Sequence, residues 1–327
     1  MRNKIIIVTG DPNSINSEII YKVWKKLKKP IKKNIYFISN FSLLNSQFKK
    51  LNYSIKATDI NNISESTNHE KLKVINIDLK FKNPFNVSNF YASKFIKESL
   101  NCAHDLCLDK TVKGMINCPI NKKLLKINSN KNLGVTEYLA KKCNVKNNSE
   151  AMLISNKRLS VTPITTHIDI RDVSKKINKK IIINKIKTIN NWFNNKFKKK
   201  PKFGVLGLNP HNSELKKNSE EKKVILPAIK KLRKDGLNIR GPLIADTTFI
   251  NDFKNYDVII GMYHDQVLTP FKTLFKFDAI NMTLGLKYLR VSPDHGVAKD
   301  IIGKNKANEM SLQNCINFIC NSKNEIR

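Results

Sequence analysis

Short apolar runs alternate along the chain with longer stretches whose apolar residues recur at helical spacing. "KIIIVTG" (4–10) predicts a strand. The next stretch, "SEIIYKVWKKLKK" (17–29), sets Ile19, Ile20, Val23, Trp24 and Leu27 on one stripe, as an amphipathic helix does. "NIYFISN" (34–40), "FSLLNSQFKKL" (41–51) and "KVINIDL" (73–79) repeat the strand–helix–strand rhythm. A long helix over "NVSNFYASKFIKESLNCAHDLCL" (86–108) then feeds the strand "VKGMINCPI" (112–120). This is the βαβ pattern of a mostly parallel sheet with helices on both faces.

The middle of the chain breaks the rhythm. "AMLISN" (151–156) and "LSVTPITTH" (159–167) are separated only by a Lys-Arg turn and predict an antiparallel hairpin. A lysine-rich helix around 181–197 and the strand "FGVLGLNP" (203–210) come next. The helix "SEEKKVILPAIKKLRKDG" (219–236) opens on Ser219 as a cap and closes at Gly236. "YDVIIGMY" (256–263), "AINMTLG" (279–285) and a helix over "SLQNCINFIC" (311–320) complete the pattern, with no internal repeat and no flexible linker. The expected fold is α/β and two-lobed, with mostly parallel sheets flanked by helices and a cleft between the lobes. The whole chain, 1–327, reads as one unit whose lobe boundaries are discontinuous.

Composition narrows the classes. Hydrophobic residues make up 40% of the 327, enough for a real core. No apolar run reaches the roughly 18 residues a membrane helix needs, so no membrane partner is expected. The first residues lead straight into a strand without a signal-peptide pattern, and a cytoplasmic location is the expectation. Cys102, Cys107, Cys118, Cys143, Cys315 and Cys320 contain no CxxC pair and read as reduced thiols. The net charge of +34 raises the question of nucleic acid, but the lysines spread over nearly every segment and only seven of the 60 basic residues are arginine. Base readout leans on arginine and on stacking aromatics, so specific nucleic-acid binding is not expected. Abundant lysine, asparagine and isoleucine are what A/T-rich codons supply.

Six histidines occur. His69 and His104 read as surface or helix-face residues. His167, His211 and His264 each follow a predicted strand, where ligands bind in open α/β sheets. The stretch "GMYHDQVLTPFK" (261–272) is the sharpest case, because a buried strand ends in His264, Asp265 and Gln266. Taken singly, a strand-end histidine is a satisfied loop residue. Three of them that converge suit zinc, cobalt or a related divalent ion, with positions left open for substrate.

"HGVAKDIIGKNKANE" (295–309) resembles the cofactor loop of isocitrate and isopropylmalate dehydrogenases, which grips the adenosine half of NAD. With "GLNPH", "ADTTF", "MYHDQ", "NMTLGL" and "SPDHG" in order, the chain resembles the 4-hydroxythreonine-4-phosphate dehydrogenases from "IVTGDP" to the last helix. The resemblance implies an isocitrate/isopropylmalate dehydrogenase-like fold and a homodimer with active sites shared between subunits. It also implies a divalent metal (Zn, Mg or Co) on His167, His211 and His264, the last supplied by the neighbouring subunit. Asp246 and Asp265 are candidate catalytic acids that hold charge near the metal or orient its ligands, though each also reads as a cap or turn acid. Thr136, Lys272, Asn281 and Arg290 match substrate contacts. His295, Gly296, Asp300 and Asn308 match the cofactor loop, where an acid at 300 favours NAD over NADP.

The substrate implied is 4-phosphohydroxy-L-threonine, a small phosphorylated amino acid whose phosphate and carboxylate call for cations and donors. The implied reaction is NAD-dependent oxidation followed by decarboxylation to 3-amino-2-oxopropyl phosphate, in pyridoxal 5′-phosphate (vitamin B6) biosynthesis. Three departures stand out. Val135 occupies a place where the family commonly has histidine, and "TGDPNSINSE" (9–18) and "NPHNSELKKNSEE" (209–221) lack expected glycines. Two other readings share the motifs in whole or part: a dehydrogenase of another phosphorylated hydroxy acid, and a three-histidine metal hydrolase, which has no need of the 295–309 loop.

Overall fold

The computed structural model describes residues 3–65, 70–125, 134–146 and 148–321. His69 lies outside them. The chain divides into two compact units, Met1–Lys142 with Lys287–Ser322, and Cys143–Leu286.

The first unit carries β1 (Lys4–Val8), β2 (Ile35–Ser39), β3 (Ala57–Ile60), β4 (Leu72–Asn76) and β5 (Val112–Asn117). It is joined late in the chain by β12 (Arg290–Pro293). The order is β3-β4-β2-β1-β5-β12, and every neighbour pair is parallel. Strands covered on both faces must be apolar throughout. β1 meets this with Ile5, Ile6, Ile7 and Val8, each at most 2% exposed. Helices Asn16–Lys26 and Asn89–Cys107 supply the connections that parallel strands require. The second of these helices buries His104, whose Nδ1 lies 2.9 Å from the Tyr288 hydroxyl, so this histidine is a core residue and not a surface one.

The second unit carries β6 (Ala151–Ser155), β7 (Ser160–Pro163), β8 (Phe203–Leu206), β9 (Ile239–Leu243), β10 (Val258–Gly261) and β11 (Ile280–Leu284). The order is β11-β6-β7-β10-β8-β9. β6 is antiparallel to both of its neighbours, as its hairpin with β7 dictates, and the remaining pairs are parallel. Asn156 Oδ1 closes the hairpin by accepting from the Arg158 and Leu159 amides. The segment after β10 is not a polar loop. A helix opens at His264 and runs to Phe275, burying Val267, Leu268 and Phe271 against Met152, Val161, Leu206 and Ile259. None of the six cysteines is in a disulfide, and no helix among the described residues is long and apolar enough to cross a membrane.

One core residue makes stability depend on pH. Lys73 on β4 is 2% exposed, with its ammonium over the Tyr36 ring at 3.9 Å and donating to the Lys33 carbonyl. Burial, together with Lys4 and Lys33, pushes its pKa down to about 8 from 10.5. Between those values the unfolded chain binds more protons than the folded one, so stability rises with pH across that window. Below the lower value the penalty is fully present. Lys73→Met is expected to stabilise the protein at neutral pH by roughly 1–3 kcal/mol and to flatten that rise. Urea midpoints at neutral and alkaline pH measure both effects.

Candidate active site

β7, β10 and β8 lie side by side and parallel, with β10 in the middle. Pro163 is level with Gly261, and Val205 with Ile260, so the carboxyl ends of all three strands meet one edge. His167 follows the end of β7, His264 that of β10 and His211 that of β8. Asp246 follows β9, the next strand out, in the first turn of a short helix. The edge is cross-braced. The Ile164 and Thr165 amides donate to the carbonyls of Gly261 and Met262, and Thr165 Oγ1 adds a 2.7 Å bond to the latter. Gln266 accepts from the Met262 amide and donates to the Gly207 carbonyl, both at 2.7 Å, which ties the turn after β10 to β8.

The His167 and His264 rings stand 5.7 Å apart between centroids. Asp265 Oδ1 lies 2.6 Å from His264 Nδ1. A carboxylate there fixes the ring and leaves Nε2 as the outward donor, which is how metal-bound imidazoles are oriented. His167 and His211 are exposed and His264 is partly exposed, so the donor chemistry and its accessibility suit a divalent ion. Among the described residues, no three His, Cys, Asp or Glu side chains gather into a single ion-binding group. His211 occupies the adjacent strand end without joining the other two rings.

His211 begins an unusual segment. His211, Asn212, Ser213, Glu214 and Leu215 all have φ between 47° and 56°, a left-handed turn built without one glycine. Each L-residue in that region costs roughly 1–2 kcal/mol, with asparagine the least affected. Buried Glu221 braces the approach to the turn. Its Oε1 accepts from the Leu208 and Asn209 amides at 2.8 Å, and both of its oxygens receive Asn209 Nδ2. Burial pushes this carboxyl up, but the amide donors outweigh it and hold the acid below the usual range. A Cβ at Gly207 would come within 2.0 Å of Asn212 Oδ1, so any larger residue there has to push the Asn212 side chain aside. Glu214→Gly is expected to stabilise the protein by about 1 kcal/mol, raising Tm by a few degrees, since glycine adopts positive φ without the Cβ conflict. Thermal melts of the variant measure it.

The other candidates divide between the units. In the second, Asn281 on β11 has a buried Oδ1 with no hydrogen-bond partner, an acceptor waiting for a donor. Lys272 is exposed on the helix His264–Phe275, and Asp265 is exposed beside His264. In the first, Arg290 is 3% exposed, and its Nε donates to Asn117 Oδ1 at 2.7 Å. Burial lowers its pKa to about 10, offset by nearby Cys315 and Glu137, so it remains a cation at neutral pH. Thr136 is buried in the first turn of the helix Val135–Lys142. Gly296 and Asp300 are exposed, and His295 Nδ1 lies 3.0 Å from the Gly296 carbonyl. Asn308 Oδ1, just ahead of the last helix, accepts from the Met310 amide. Glu221, Gln266 and Asn117 had no role from sequence. Gln266 stands within the "MYHDQ" motif, whereas nothing local marks Glu221 or Asn117 as braces.

A family model described as pyridoxal phosphate biosynthetic protein PdxA matches residues 31–319. A 4-hydroxythreonine-4-phosphate dehydrogenase from Sulfurihydrogenibium sp. is 37% identical over 318 residues, covering 94% of each chain. A putative D-threonate 4-phosphate dehydrogenase from Oceanobacillus iheyensis is 36% identical over 218 residues, covering 66% of this chain and 65% of its own. Among solved structures, a 4-hydroxythreonine-4-phosphate dehydrogenase from Klebsiella pneumoniae superposes with a TM-score of 0.83 at 27% identity, over 98% of this chain and 100% of that one. An isocitrate dehydrogenase from Methylococcus capsulatus, 11% identical with a TM-score of 0.50 over 97% and 84% of the two chains, shares the fold alone. The sheets, the strand-end histidines and these matches agree, and the chain belongs to the PdxA family of pyridoxal phosphate biosynthetic proteins.

Proposed function

We propose that the chain oxidises 4-phosphohydroxy-L-threonine with NAD and a divalent metal, and that the resulting β-keto acid loses CO2 to give 3-amino-2-oxopropyl phosphate. The observation that carries this reading is the placement of three histidines at the carboxyl ends of three adjacent parallel strands, within a chain of this family. His167, His211 and His264 would hold the metal. When bound, the metal supplies Lewis acidity at the oxygen being oxidised, and NAD supplies the hydride acceptor.

The protein's own part is position and charge. Asp265 keeps the His264 ring turned with Nε2 outward. Asp246, on the neighbouring strand end, adds negative charge that keeps the imidazoles and their ion oriented. Arg290 and Lys272 supply cations for phosphate and carboxylate. Thr136 donates from its hydroxyl, and Asn281 Oδ1 accepts from the substrate's ammonium group. His295, Gly296, Asp300 and Asn308 receive the adenosine half of NAD. Asp300 would repel a 2′-phosphate, so kcat/KM is expected to favour NAD over NADP by at least about tenfold. Equal values for the two cofactors would remove that role.

NADH formation from 4-phosphohydroxy-L-threonine, abolished by a chelator and restored by Zn, Mg or Co, tests the whole reading. No turnover under any of these metals would overturn it. A second reading has its own support, namely Val135 and the resemblance to the D-threonate 4-phosphate enzyme. The same assay with D-threonate 4-phosphate decides between the two by the larger kcat/KM. The reading includes a homodimer whose sites are shared. Mixed dimers of two inactive histidine variants test this, because one site of the two regains a full set of ligands only if an imidazole crosses between subunits. Recovery in the His167→Ala with His264→Ala pair, without recovery in the His167→Ala with His211→Ala pair, assigns the crossing to His264. Recovery only in the His167→Ala with His211→Ala pair assigns it to His211.

A further inference from the structure

The helix Asn16–Lys26 reaches across almost the whole length of the sequence to hold residues 305–309. Glu18 is 1% exposed, and its Oε1 accepts from both the Lys22 ammonium and the Ala307 amide at 2.8 Å. Lys22 Nζ in turn donates to the Ala307 carbonyl at 2.8 Å and the Asn305 carbonyl at 3.1 Å. One turn on, Lys26 pairs with Glu309. Ile15, just before the helix, donates its amide to the Val297 carbonyl, and the Tyr53 hydroxyl bonds Asn305 Oδ1. Residues 305–309 belong to no strand or helix, and only Glu309 adjoins the helix that follows, Met310–Cys320. Three of their backbone groups, the Asn305 and Ala307 carbonyls and the Ala307 amide, are held by this one ion pair, through charge-assisted bonds about twice as strong as neutral ones. The same residues wall a cavity of about 440 Å³ bounded by Lys26, Lys306, Asn308, Glu309 and Gln313.

We infer that Glu18 and Lys22 are positioning residues for the cofactor: their ion pair pre-forms the 305–309 segment, so that NAD meets an ordered loop. The inference rests on the reading of His295–Glu309 as a cofactor loop. An ordered loop spares the ligand the entropy of ordering it, and a loop competent only part of the time weakens apparent affinity in proportion. Neither residue touches the strand-end histidines, so the effect falls on the cofactor.

The test is NAD binding, followed by titration without substrate or metal, in Lys22→Met, Glu18→Gln and the double variant. Lys22 is partly exposed, so its replacement keeps the fold even if Glu18→Gln does not, and far-UV circular dichroism checks this. The expected result is an NAD Kd raised at least about fivefold in Lys22→Met, with the KM for the phosphorylated substrate changed less than about twofold. Lys22→Arg should recover part of the loss, because a guanidinium still reaches two carbonyls. The double variant should bind NAD no more weakly than the worse single one, since the two act as a unit. Wild-type affinity in Lys22→Met overturns the inference. So does a parallel loss of substrate KM, NAD Kd and Tm, which is the mark of a merely structural pair. A wild-type protein that binds no NAD overturns the proposed function itself.

Discussion

Alanine in place of His264 is expected to remove bound metal and to cut turnover by about a thousandfold or more, with the fold intact. The magnitude follows from the several kcal/mol that Lewis-acid assistance contributes, at about 1.4 kcal/mol for each factor of ten. The ring can be removed without loss of packing, because His264 opens its helix at the edge of the sheet. The apolar anchors Val267, Leu268 and Phe271 lie further along. Asp265→Asn is a milder version of the same experiment. It keeps the shape and loses the charge that orients Nδ1, and metal affinity should fall 10- to 100-fold, as about that much is lost with such partners elsewhere. Metal analysis after dialysis, with steady-state NADH formation, reads both variants. A metal-loaded and active His264→Ala protein would remove this histidine from the site.

Glu221→Gln is expected to cost about 2–4 kcal/mol of stability and, separately, to lower metal affinity. The carboxylate takes two backbone amides and a side-chain amide while fully buried, and a neutral amide cannot accept at both positions. Its folded pKa lies below the ordinary carboxylate value. Its contribution is therefore complete at neutral pH and is lost as pH falls through that lower folded value. The acid limb of the wild-type stability curve should steepen there, and the limb of the Gln variant should not. The second effect arises because the bonds from Leu208 and Asn209 set the chain's direction just before His211. Denaturant midpoints and metal titrations separate the two.

Much of the α/β rhythm was legible because the signals are local. The apolar strands β1, β2, β5 and β10 are buried along their length, and the hairpin of β6 with β7 follows from a turn of minimal length. Ser219 does accept from the Lys222 amide, and Gly236 has φ of 82°. Other elements were hidden for identifiable reasons. The helix His264–Phe275 starts on polar residues and contains Pro270, which removes an amide donor from its interior and reads as a breaker. β9, "IRGPL", carries a glycine and a proline, and β12 has four residues, so neither shows a strand pattern. The candidate site was legible as a set of residues, three strand-end histidines with Asp246 and Asp265, and not as an arrangement in space. That their strands are neighbours is a property of the crossovers, since β10 sits between β7 and β8 out of sequence order. Glu18 and Glu221 look like surface acids beside lysines, and only tertiary structure shows that backbone amides surround them.

The left-handed turn at residues 211–215 gives this protein an Achilles heel that differs from its melting point. Five L-residues against their preferred hand hold several kcal/mol, a large share of what keeps an average domain folded. Wherever the brace on its approach loosens, the segment gains by rewinding to the right-handed form, and His211 swings away from the strand edge with it. Such local opening takes less free energy than global unfolding. Heat should therefore inactivate the protein several degrees before circular dichroism registers any melting, and a tightly bound ion should close that gap.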